Sequence, residues 1–80
     1  VVLDVRTAAE VAEKCIPGAV TEIDYYNGEF ESKYRDFDKS KSYLIYCRSG
    51  VRSVHACEMM AAEGFTELYN LRGGILGWEG

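Results

Sequence analysis

The run Cys47-Arg48-Ser49-Gly50-Val51-Arg52 puts a thiol, two guanidinium groups, a hydroxyl and a glycine within six residues, a set suited to holding sulfur as an anion. A free thiol with a pKa near 8.5 is only about 3% thiolate at pH 7, whereas helix-start amides and neighbouring arginines lower thiol pKa values to roughly 3.5–7.5. A fall of about two units makes the thiolate the majority form and corresponds to roughly 2.7 kcal/mol. Arg48 and Arg52 bracket Ser49-Gly50, where the glycine lets the backbone curl so that successive amides can turn inward around an anion. The chemistry on offer is nucleophilic attack by Cys47, with Arg48 and Arg52 binding an anionic reactant or stabilising its leaving group. The alternative is that Cys47 is a buried strand end with no reactivity. Against it stands the combination of strand end, paired arginines, glycine and helix start, each of which lowers a thiol pKa.

The other candidate residues carry less. Cys15, Cys47 and Cys57 are too few for a disulfide framework, and neither a Cys-x-x-Cys pair nor a zinc ligand set with His55 is present. No metal site is expected. Cys57 falls on an apolar helical stripe and is expected in the core. His55 has no acidic partner in a recognisable relay and is expected on a helix surface. Asp4, Arg6 and Arg72 should meet near the sheet edge that carries Cys47, chiefly as structural ion pairs. Trp78, Met59, Met60, Tyr25 and Tyr26 are expected to pack or to line a pocket wall.

The elements that must position these residues are legible as patterns. Val1–Val5 and Tyr43–Cys47 are short apolar runs rich in β-branched and aromatic residues, as in strands buried on both faces. Helical patterns lie between and after them, so the expected class is α/β with a parallel sheet. Thr7-Ala8-Ala9-Glu10 has capping-box spacing and starts a helix to about Lys14, stopped by Pro17-Gly18. A brief strand is expected near Ala19–Ile23. Phe30, Tyr34 and Phe37 line one face of a helix of about ten residues. After the Asp38–Ser42 link and the central strand, a helix should run from Val51 to Glu63, ended by Gly64. Val51, Val54, Cys57 and Ala61 would be its sheet-facing stripe. Glu67–Leu71 reads as a further strand, and Gly73-Gly74 as a turn.

Eighty residues, 48% apolar and 28% charged, bound the chain to one globular domain over residues 1–80. Such a domain buries only about 60–65% of the surface its unfolded chain exposes, so its stability margin is modest. The apolar opening Val1-Val2-Leu3 and the close at Gly80 suggest a fold cut at both ends. A net charge of −4 with no basic stripe argues against nucleic acid or an anionic membrane as the main partner. No run approaches the ~20 apolar residues of a membrane span. A cytoplasmic location is the expectation, one that a leader ahead of Val1 would change.

Cys47-Arg48-Ser49-Gly50-Val51-Arg52-Ser53 resembles the active-site loop of the rhodanese family, Cys-Arg-Ser-Gly-x-Arg-Ser. Three further features agree in order: Leu3-Asp4-Val5-Arg6, Ile16-Pro17-Gly18-Ala19, and Leu71-Arg72-Gly73-Gly74 followed by Trp78. The resemblance implies a three-layer sandwich, a central parallel sheet with helices on both faces, lacking here the family's first strand and closing helix. It implies that Cys47 takes the outer sulfur of a donor such as thiosulfate, becomes a persulfide, and passes the sulfur to cyanide or to a thiol, a thioredoxin-like protein being one such acceptor. Arg48, Ser49, Gly50, Val51 and Arg52 would bind the substrate, and no cofactor is implied. Oligomeric state is not readable.

Cysteine phosphatases also place a Cys-to-Arg loop at a helix start, but with five intervening residues. Here four separate Cys47 from Arg52, and Tyr46 stands where those enzymes usually carry His. The smaller ring resembles sulfur-handling relatives. One departure from the family is Cys15, which replaces the usual His before Ile-Pro-Gly-Ala; it is either an indifferent loop residue or a second thiol able to meet the Cys47 persulfide. A different class of function, a non-catalytic binding or redox-sensing module within a larger protein, is the alternative to the enzyme.

Overall fold

Three short parallel strands hold the site. In the computed structural model, which describes residues 1–71 and 73–77, β2 (Tyr43–Tyr46) runs between β1 (Val2–Asp4) and β3 (Leu68–Asn70). The register pairs Leu3 with Ile45 and Ile45 with Asn70. Parallel neighbours need crossovers, and helical segments supply both. Arg72 and Trp78 lie outside the described residues.

Side chains of β1 and β2 alternate between two environments. Leu3, Val5, Tyr43 and Ile45 face a core completed by Phe30, Tyr34, Ala56, Met60 and Phe65. Phe30 comes from α2 (Glu29–Lys33), and its ring stacks on Tyr34 at 4.9 Å between centroids. The expected ten-residue helix is instead this single turn and a half followed by a 3₁₀ turn at Tyr34–Asp36. The tighter turn swings Phe37 onto Tyr43, 6.0 Å between ring centroids, while Phe30 and Tyr34 remain buried as their spacing suggested.

On the other face, Asp4 and Tyr46 are fully buried. Arg6 brackets Asp4 through Nε and Nη2, the latter at 2.8 Å, and its guanidinium also reaches the carbonyls of Glu10 and Lys14. Tyr46 Oη donates to Asp4 at 2.7 Å and accepts from the Ile16 amide. This network ties α1 (Ala8–Glu13) and the turn after it to the carboxyl end of the sheet. The capping box at its start is formed as expected, with Thr7 and Glu10 each satisfying the other's amide.

Two further expectations are corrected. The strand near Ala19–Ile23 reduces to one bridge between Val20 and Leu3. Glu22, at φ +63°, turns the chain out of an extended path two residues later. On α3 (Val51–Ala62) the buried side chains are Ser53, Ala56 and Met60, whereas Val51 is 64% and Val54 42% exposed. The helix is turned by about one residue, roughly 100°, from the apolar stripe. Ser53 hides that face in the sequence because it is polar, yet its hydroxyl is satisfied inside the Cys47 loop. Gly64, at φ +98°, follows the end of α3 as expected.

Candidate active site

Cys47 follows β2 directly, and α3 starts four residues later. Gly50, at φ +104°, makes the turn between them and caps α3 in a left-handed conformation that a side chain would strain. Its amide donates to Cys47 Sγ at 3.0 Å, and Ser53 Oγ lies 3.5 Å from the same sulfur. Cys47 is 1% exposed. Burial pushes its thiol pKa up, but the hydrogen-bonding contact with the Ser53 hydroxyl and the amides of Ser53, Gly50 and Ser49 outweigh it, leaving the pKa below that of an ordinary thiol. The buried sulfur is thus held where its anion is favoured.

A second turn braces the loop from outside. Ile75 N donates to the Cys47 carbonyl at 2.9 Å and Leu76 N to that of Arg48 at 3.2 Å. Gly74 sits so close that a Cβ there would fall 2.4 Å from both carbonyl oxygens. Only glycine fits, a requirement that the expected Gly73-Gly74 turn foreshadowed without showing what it touches.

The arginines divide. Arg48 and Ser49 are exposed at the loop's outer rim, with the Val51 side chain also turned outward. Arg52 is engaged: Nη1 and Nη2 meet the two carboxylate oxygens of Glu10 at 2.9 and 3.0 Å, and the guanidinium lies 4.9 Å over the Tyr26 ring. Arg52 pulls the Glu10 pKa down to about 2; burial opposes this, and bonds from Thr7 assist it. Arg52 is therefore a fixed positive group near Cys47. Beside the loop an open cleft of about 630 Å³ shares Arg48 with it and is lined also by Arg6, Lys14, Glu10, Glu13, Ile75 and Leu76. Cys47 does not line this cleft.

The structure brings together Cys47, Arg48, Ser49, Gly50, Val51 and Arg52, the six residues singled out from sequence. It adds Glu10, Ser53, Asn70 and Gly74, whose signals were a cap motif, a loop-motif serine, a strand end and a turn. Cys15, Cys47 and Cys57 are free thiols. Cys57 packs half-buried against the core, and burial raises its pKa. His55 lies on the exposed side of α3, 3.8 Å from Glu58 and against Tyr25. Among the described residues no cluster of His, Cys, Asp and Glu could hold a metal ion, and no helix is long and apolar enough to cross a membrane.

Residues 1–80 match the family profile described as the rhodanese-like domain. A Bacillus subtilis protein provisionally named sulfurtransferase YtwF is 41% identical over 78 residues, covering 98% of this chain and 72% of that one. A protein of Allochromatium vinosum named sulfurtransferase is 37% identical over 76 residues, covering 95% and 68%. The crystal structure of a rhodanese-related protein from Thermoplasma volcanium superposes with a TM-score of 0.85 at 30% identity, covering 96% of this chain and 73% of that one. The chain is also 37% identical over 79 residues to the tRNA uridine(34) hydroxylase of Synechocystis sp., covering 95% of itself but 28% of that protein.

Proposed function

Because the chain belongs to the rhodanese-like domain family, we propose that it is a sulfurtransferase that moves sulfane sulfur from a donor of the thiosulfate type to a thiol or cyanide through a persulfide on Cys47. The observation that carries this reading is the Gly50 amide at 3.0 Å from a buried cysteine sulfur at the head of α3. The Cys47 thiolate attacks the outer sulfur of thiosulfate, a new S–S bond forms, the donor's S–S bond breaks, and sulfite leaves with the electron pair. An acceptor nucleophile then attacks the terminal sulfur and Cys47 departs as thiolate. Exposed Arg48 meets the incoming anion, while Arg52, its charge partly offset by Glu10, is held fixed close enough to interact with the Cys47 sulfur. The natural acceptor we assign is a thiol, on a small molecule or on a thioredoxin-like protein.

The test is thiocyanate formation from thiosulfate and cyanide, with double-displacement kinetics in the wild type and none in Cys47→Ser. A wild type that turns over no faster than Cys47→Ser refutes the enzyme. That result would favour a binding or redox-sensing module within a larger protein; in the Synechocystis tRNA uridine(34) hydroxylase the matching stretch is 28% of the chain.

A further inference from the structure

Ser53 Oγ has one proton and three neighbours able to take it. The Gly50 carbonyl lies at 3.2 Å, Cys47 Sγ at 3.5 Å, and the Asn70 side-chain amide completes the set. Asn70 ends β3 and leans on the loop, with Nδ2 3.8 Å from the place a Gly50 Cβ would occupy. When Asn70 presents Oδ1 to Ser53, the hydroxyl donates to Asn70 and offers the sulfur only a lone pair. That direction suits a neutral thiol, whose S–H can donate to Ser53. It opposes a thiolate, because a lone pair then faces a negative charge. A half-turn of the amide exchanges its oxygen and nitrogen without changing its shape. Nδ2–H then donates to Ser53 Oγ, and the Ser53 proton is released to the sulfur.

We propose that Asn70 is a positioning residue that sets the charge state of Cys47 through Ser53: its amide reverses the chain Cys47–Ser53–Asn70, so that each group donates toward the sulfur once the sulfur becomes an anion. The proton lost from sulfur leaves to solvent, and the relay returns none to it. The inference rests on the reading of the Cys47 anion as the working form. It extends that reading beyond the loop, to a residue on the neighbouring strand.

The experiment is the pH profile of Cys47 alkylation by iodoacetamide, read at Cys47 by peptide mass, in wild type, Asn70→Ala, Asn70→Asp, Ser53→Ala and the Asn70→Ala/Ser53→Ala double variant. Asn70→Ala removes the donor to Ser53, so the profile moves to higher pH and the rate near pH 6 falls about three- to tenfold. Asn70→Asp keeps the shape but can only accept, so it moves the profile further the same way. In the Ser53→Ala background, Asn70→Ala changes the rate by less than about twofold, because the relay is already cut. A profile that moves to lower pH or stays put in Asn70→Ala overturns the proposal, as does an Asn70 effect that persists without Ser53. Alkylation needs no sulfur transfer, so the two ideas fail separately. Predicted shifts in a protein that forms no thiocyanate refute the sulfurtransferase and support Asn70; normal turnover with unmoved profiles does the reverse.

Discussion

Glu10 and Arg52, forty-two positions apart, meet in a two-pronged ion pair whose distances are 2.9 and 3.0 Å. It joins the first turn of α1 to the first turn of α3, and so fixes the outer wall of the Cys47 loop to the far side of the sheet's edge. Both side chains are largely shielded, at 26% and 12% exposure, so solvent screens the pair less than it would a surface salt bridge.

The pair gives stability a defined pH dependence. Glu10 titrates at about 2 in the folded chain against 4.5 as a free side chain, so its stabilisation is fully present above about pH 4.5 and is lost as pH falls toward 2. Glu10→Gln should lower unfolding free energy by about 1–2 kcal/mol at pH 7, and by progressively less below pH 4.5. Urea unfolding at several pH values measures it. An equal difference at pH 7 and pH 3 would show that Glu10 acts through packing and not through charge.

Arg48 and Arg52 should separate kinetically. Arg48→Ala, which removes an exposed group, is expected to raise KM for thiosulfate about three- to tenfold with kcat little changed. Arg52→Ala should instead lower stability by about 1–3 kcal/mol and raise the Cys47 pKa, because it leaves Glu10 unpaired and removes a positive charge near the sulfur. Arg52→Lys keeps the charge but not the two-pronged geometry, so it should recover the pKa more fully than the stability. Steady-state rates with denaturation curves distinguish the two; a rise in KM confined to Arg52→Ala would reverse the assignment.

Gly74→Ala should be far worse than Gly73→Ala. Both residues have positive φ, which alone costs about 1 kcal/mol for alanine. At Gly74 the new methyl also meets two carbonyl oxygens at 2.4 Å, whereas at Gly73 the nearest atom is 4.0 Å away. We expect at least about 2 kcal/mol more destabilisation for Gly74→Ala, with loss of Cys47 reactivity as the loop shifts. Melting curves and alkylation rates of the two variants provide the comparison.

Much of this arrangement was legible because it is local. The aromatic and aliphatic run at Tyr43–Cys47, the Thr7–Glu10 cap and the loop from Cys47 to Arg52 each carry their signal within a few residues, and each forms as expected. The apolar pattern does not show the buried face of α3, because Ser53 is polar and its partners lie in the loop. The sequence suggests an extended path past Val20 because nothing in it marks Glu22 for a left-handed turn. The Glu10–Arg52 pair and the reach of Asn70 to Ser53 are contacts between distant segments. They exist only once the parallel register has brought the strand ends to one edge.

The central claim is that Cys47 accepts sulfur, and intact mass after brief exposure to thiosulfate tests it most directly. One added sulfur atom is predicted, located on the peptide bearing Cys47, removed by cyanide and absent from Cys47→Ser. A wild-type mass that does not change, or an adduct that Cys47→Ser retains on Cys15, would contradict it.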